Sequence, residues 1–237
     1  MKRLFILFCI SFLFFSCKSA DSAAKSWNDR FRVASPNFIA DMDPVSVGSV
    51  SMQFEKIFSS SLEKKDVDVY FDPRIDSVYL QFRYQTVVYR QHWDKAGRLQ
   101  FITALERYKK DYEGKNLKSK GNRGAYGSLQ TEAEWGQLNY GIFMNSKSFP
   151  IVYLGYRFNK KSPYFTIYQT SAEDVIGKSD DSLRQSIDIT TYYTRAQADE
   201  LVKLFDQQYL LSFLGPRADP KYTAPLVEDD YKEADVD

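Results

Sequence analysis

The sequence predicts an α+β fold: an antiparallel sheet with helices packed on it. Three observations carry that expectation. Apolar residues recur at every second position through much of the chain, the mark of strands with one face in a core and one in water. Two segments switch to the 3.6-residue period of an amphipathic helix. Glycines, prolines and polar clusters punctuate the runs between. The composition agrees. Of 237 residues, 43% are hydrophobic and 27% charged, with 32 basic against 31 acidic side chains and a net charge of +1. That balance offers no drive toward nucleic acid. Two cysteines and one histidine exclude a disulfide scaffold, a zinc finger and any site built on several histidines.

The first strand is read from Val50, Met52, Phe54 and Phe58, alternating with Ser49, Ser51, Gln53 and Glu55. The second is Val67, Val69 and Phe71 among Asp66, Asp68 and Asp72. After the Asp72-Pro73 turn, Val78, Leu80, Phe82, Tyr84 and Val88 are expected on one face of a single long strand. Tyr79, Gln81, Arg83, Gln85 and Tyr89 are expected on its other face. A helix is then predicted over 95–113, with Phe101, Ile102, Leu105, Tyr108 and Tyr112 on its buried side. Asp94 serves as its N-cap and Gly114 ends it.

Five further strands are expected near 125–135, 138–145, 151–158, 164–170 and 187–193, each dense in aromatic and β-branched residues. A second helix is predicted over 195–214, with Ala198, Leu201, Val202, Phe205 and Tyr209 as its stripe and Gly215-Pro216 as its stop. Thr194 and Gln197 have capping-box spacing. The order is three strands, helix, five strands, helix. The sheet should thus have about eight strands in a meander, with two amphipathic helices on one face.

The ends read differently. Lys2 and Arg3 precede the apolar run Leu4–Phe15, broken only by Ser11. Twelve helical residues span roughly 18 Å, well short of a ~30 Å hydrocarbon core, so residues 1–16 read as an export signal and not a membrane span. Phe14-Phe15-Ser16-Cys17 closes the run. It resembles the lipobox of bacterial lipoproteins, in which a small residue precedes a cysteine that is diacylated and becomes the mature N-terminus. Ser16 and Cys17 match that pattern, while Phe14 and Phe15 depart from its usual leucine and small residue. The resemblance covers these seventeen residues and implies lipidation at Cys17 and attachment to an envelope membrane. Residues 17–36 then form a tether, 37–215 a single domain, and 216–237 an acidic tail carrying Glu228, Asp229, Asp230, Glu233, Asp235 and Asp237.

Little chemistry assembles in the sequence. His92, between Gln91 and Trp93, is expected to be a boundary residue bonded to backbone and not a catalytic base, because Asp94 is engaged as a helix cap. There is no nucleophile elbow and no cysteine left in the mature chain. Glu132 and Glu134, roughly 7 Å apart on one strand face, have the spacing of a glycosidase pair. Ser128 and Gln130 continue that face, so it reads as solvated. Asp41/Asp43 and Asp66/Asp68 lack the glycine and distal glutamate of a calcium loop. Gly121-Asn122-Arg123-Gly124 does not open a helix, so no phosphate loop is indicated. No cofactor and no metal are expected.

What remains is a candidate binding surface. Lys118, Lys120 and Arg123 sit in the basic segment 109–123, and Tyr79, Tyr89, Tyr153 and Tyr168 are strand tyrosines among the chain's 17. The sequence therefore favours a non-catalytic, membrane-anchored binding domain whose partners are the membrane and an envelope protein. The alternative is an envelope-polymer hydrolase using Glu132 and Glu134.

Overall fold

The computed structural model describes residues 43–55, 61–84, 87–137, 146–176 and 184–214. The chain divides into two units, Met1–Asn37 and Phe38–Asp237, and the described residues all belong to the second. The leader, Cys17, the tether, the acidic tail, Phe58 and the strand expected at 138–145 lie outside them.

Ten strands form one antiparallel sheet. They are β1 (Val45–Glu55), β2 (Leu62–Asp72), β3 (Ser77–Tyr84), β4 (Val87–Trp93), β5 (Asn122–Gln130), β6 (Glu132–Gln137), β7 (Ser146–Ser148), β8 (Ile151–Asn159), β9 (Ser162–Gln169) and β10 (Ile189–Tyr193). Helix α1 (Lys95–Glu113) follows β4, and α2 (Arg195–Phe205) and α3 (Gln207–Ser212) follow β10. The α+β class stands, but three details of the expected order do not.

The long strand over 78–88 is a hairpin, β3 and β4, in which Phe82 pairs with Tyr89 and Val78 with Trp93. Reversal at the hairpin puts Tyr89 on the core face beside Phe82, and moves Val88 to the other face opposite Arg83. The strand expected at 125–135 is two, β5 and β6, separated at Thr131. The second helix is also two. Asp206 closes α2 in an extended conformation and caps α3 by accepting the Tyr209 N–H, at 2.8 Å. Tyr209 consequently leaves the apolar stripe and is 39% exposed, while Leu204, Leu210 and Leu211 are buried instead.

The strand order is β5-β8-β9-β10-β1-β2-β3-β4-β6-β7, so it is not a simple meander. β5 and β6 stand first and ninth, about 38 Å apart in a flat sheet at ~4.8 Å per strand. Yet Gln130 and Glu132 are joined through Thr131, a link of at most ~7 Å. The sheet must therefore curl until its ends meet. The join is a single bent ribbon: Gln130 pairs with Ile151 and Ala133 with Ser148 in one continuous register, and the Thr131 N–H donates to Pro150 O at 3.0 Å across the bend. Pro150 has no N–H to return.

Helices α1 and α2 fill the inner side. α1 touches β4, β5 and β8, and α2 touches β1, β9 and β10. Phe101 of α1 meets Trp93, Phe165 and Phe205 at 5.3–5.8 Å between ring centroids, joining β4 and β9 to α2. The caps match the sequence: Asp94 accepts from Gly97 N–H at 2.7 Å, and Thr194 and Gln197 make the capping box. One core residue is unexpected. Arg98 is fully buried, bonded to Asp76 and to Gln207 Oε1, so that it ties α1 to the β2–β3 turn and α3. Among the described residues no helix is long and apolar enough to cross a membrane.

Candidate functional site

The outer face of the sheet carries most of the strands' polar side chains, and alternation decides which. In β4, Tyr89, Gln91 and Trp93 point inward, so Arg90 and His92 point outward. The pairings then assemble a cluster from four strands: Tyr79 of β3 and Glu132 of β6 flank His92, Glu134 lies opposite Arg90, and Lys147 of β7 lies opposite Glu134. His92 Nε2 lies 3.2 Å from Glu134 Oε2, Arg90 Nη1 lies 3.8 Å from the same oxygen, and Lys147 Nζ lies 2.7 Å from Glu132 Oε1. Tyr79 stacks on Tyr70 at 5.1 Å, leans on the His92 ring at 5.1 Å, and lies under the Arg90 guanidinium at 4.9 Å.

This corrects two expectations. Glu132 and Glu134 are not on a solvated face; their side chains are largely covered. Ser128 and Gln130 belong to β5, at the opposite end of the strand order. His92 is 9% exposed and takes a side-chain partner, Glu134, where a backbone partner was expected.

The electrostatics restrict what the cluster can do. Burial alone would raise the pKa of Glu134, but the hydrogen bond from His92 and the charges of His92, Lys147 and Arg90 outweigh it and hold the carboxyl below its ordinary range. Tyr79 moves up to about 12, driven by burial and opposed by Arg90. Ligand atoms of His92, Glu132 and Glu134 lie within 4.8 Å of one another, close enough for a divalent cation. Two features oppose that reading. Arg90 and Lys147 already balance the two carboxylates. A ligating histidine normally passes its second N–H to an acceptor, and buried Nδ1 of His92 has no partner. Asp66, on the same outer face, accepts from Ser51 Oγ at 2.6 Å and belongs to no metal-binding group among the described residues.

A second patch lies over β8–β10. The backbone at Asn122 and Arg123 crosses directly over Gly155: a Cβ there would come within 2.1 Å of Asn122 O and 2.3 Å of Arg123 O. Gly121, at φ +69°, turns the chain into this crossing. Arg123 thereby lies 4.3 Å over the Tyr168 ring, and Tyr168 stacks on Tyr153 at 5.9 Å. The Tyr168 hydroxyl donates to Asp188 at 2.8 Å, which raises the phenol above its ordinary value. Beside them Arg157 donates to the Tyr192 hydroxyl and to Glu55, which Tyr192 also bonds. A cleft of about 140 Å³ between Arg123, Asp188, Glu55 and Tyr84 completes the patch.

Of the residues expected to form a binding surface, Arg123, Tyr153 and Tyr168 come together. Tyr79 belongs to the His92 cluster. Tyr89 is a core residue, 2% exposed and stacked between Phe82 and Trp135, so it is no surface residue. Lys118 and Lys120 are exposed in the segment between α1 and β5, where the Lys118 N–H donates to the Tyr156 hydroxyl at 3.1 Å. Arg90, Lys147, Glu55 and Arg157 escaped the sequence reading. Alternation signals the outward aim of Arg90, but nothing local signals Lys147, which is placed by the return of the ribbon.

A family model described as Uncharacterised Treponema protein matches residues 44–212, more than two-thirds of the chain. No curated protein matches it. No solved structure matches it either.

Proposed function

We propose that this chain, which belongs to that family of uncharacterised Treponema proteins, acts as a lipid-anchored, non-catalytic binding domain of the bacterial envelope. The leader and the lipobox resemblance at Phe14-Phe15-Ser16-Cys17 support the anchoring. Two or more acyl chains make such attachment durable, at ~0.8 kcal/mol per buried CH₂.

The observation that carries the non-catalytic half is the pairing of both Glu132 and Glu134 with neighbouring cations. A carboxylate pair that cleaves glycosides keeps one member protonated near neutrality as general acid. Here Lys147 pairs with Glu132 at 2.7 Å, and His92 and Arg90 lie 3.2 and 3.8 Å from Glu134, so cations of the sheet itself already engage both members. The cleft beside Arg123 is not lined by Glu132 or Glu134. The Arg123–Tyr168–Tyr153 stack supports the binding half, because arginine and tyrosine are enriched where protein partners dock. Its partner would be another envelope protein.

The test is photo-crosslinking in cells from a probe at position 153. It should yield a discrete adduct that Arg123→Ala removes. Purified protein should leave envelope polymers intact, with or without Glu132→Gln and Glu134→Gln. Polymer cleavage by the wild type that disappears in the carboxylate variants would overturn the reading in favour of a hydrolase.

A further inference from the structure

A second cleft, of about 490 Å³, opens where the last turn of α1, the β8–β9 hairpin and the start of α2 converge. It falls within the 300–1,000 Å³ range of small-molecule sites. Tyr112, Pro163 and Tyr164 supply an apolar wall. That wall is fixed from behind. The buried Tyr108 hydroxyl donates to Pro163 O at 3.2 Å, and Tyr164 meets Tyr192 edge to face at 6.1 Å.

Two cations stand at its rim. The Arg195 guanidinium lies 4.0 Å over the Tyr112 ring, and Lys161 sits at the hairpin tip beside Lys160, which adopts φ +55°. Both side chains are exposed, and neither has a carboxylate within ion-pair distance among the described residues. That contrasts with Lys109 and Arg157 nearby, which pair with Asp199 and Glu55. No acidic residue lines the cleft, while Ser162 and Thr194 supply hydroxyls.

We propose that this cleft binds a carboxylated sugar. The carboxylate fits the fork of Arg195 with Lys161 as second cation, a geometry that suits guanidinium. The ring lies with its C–H face against Pro163 and Tyr164, beside the Arg195 guanidinium that covers Tyr112, and its hydroxyls point to water. A wholly apolar ligand would lack enclosure there, and a bare anion would leave the aromatic wall unused. The cleft shares no lining residue with the Arg123 patch, so its test is independent of the crosslinking result.

The test is titration of the purified domain with glucuronic acid, with glucose, with acetate, and with a hyaluronan tetrasaccharide. Binding is read by calorimetry and by amide shifts at Lys161, Arg195 and Ala196. Glucuronic acid should bind at least about tenfold more tightly than glucose or acetate, a margin of about 1.4 kcal/mol. Arg195→Gln and Lys161→Gln, both at exposed positions, should each abolish that preference; Lys161→Gln leaves the melting temperature unchanged, and Arg195→Gln lowers it by no more than about 4 °C through its lost contact with Tyr112. A tetrasaccharide tighter than the monosaccharide identifies a polymer as the source of the sugar acid, and equal affinities identify the free acid. Acetate binding as tightly as glucuronic acid, no saturable binding of either sugar acid, or an undiminished preference in both variants would overturn the proposal.

Discussion

Replacing Gly155 with alanine tests how the outer face is covered. Gly155 lies on β8 opposite Thr166, on the outward side, where any other residue would project its side chain. Here the backbone at Asn122 and Arg123 occupies that space. An added methyl would sit 2.1 Å from Asn122 O and 2.4 Å from Arg123 C, in atoms that cannot rotate away. Overpacking of this kind costs about 1–3 kcal/mol. At about 2–4 °C per kcal/mol for a domain of this size, the melting temperature should drop by roughly 2–12 °C. Urea denaturation gives the free energy, and hydrogen exchange shows where it is lost. Amides near 121–124 should open first, because the displaced segment carries Arg123 off Tyr168. Gly124→Ala is the control: its methyl would meet only Tyr153 Cδ1 at 3.2 Å and should shift stability by less than ~0.5 kcal/mol. If Gly155→Ala were as benign as the control, the crossing over β8 would be wrong, and with it the placement of Arg123.

Two other perturbations address the core and the charged cluster. Leu201 is fully buried on α2 against the sheet, so Leu201→Ala should cost on the order of 2–5 kcal/mol in urea unfolding, and a value below ~0.5 kcal/mol would place it on the wrong face. Glu134 is held below its ordinary value of 4.5, so its stabilising contribution is complete above that pH and is lost as the pH falls through its lower folded-state value. Glu134→Gln should therefore lower stability at pH 7 and flatten the acid limb of the stability profile, and an unchanged acid limb would refute the pairing.

The sequence spoke clearly wherever structure is locally determined. Helix α1 spans the residues its caps imply, since Asp94 and Gly114 are adjacent signals. The strands of period two were legible for the same reason. The hairpin between β3 and β4 was hidden because Gln85-Thr86 has none of the glycine or asparagine that marks a two-residue turn. The break at Asp206 was hidden because the apolar residues run on past it into Leu210 and Leu211. Thr131 divides β5 from β6 with no glycine or proline within three positions on its own side of the ribbon; the proline lies across the ribbon at 150. The His92 cluster was out of reach for a further reason. Its members are separated by up to 68 positions and meet through the pairing of β3 with β4, of β4 with β6 and of β6 with β7. Register between distant strands is a property of the whole sheet, which no local spacing records.

Lipid attachment at Cys17 is the claim on which the envelope reading depends. Metabolic labelling with radioactive palmitate, followed by immunoprecipitation, measures it directly. The wild-type chain should carry label and migrate as a processed form, while Cys17→Ala should lose the label and accumulate as a larger precursor. Label that persists in Cys17→Ala, or a wild-type chain that takes up none, would contradict the account.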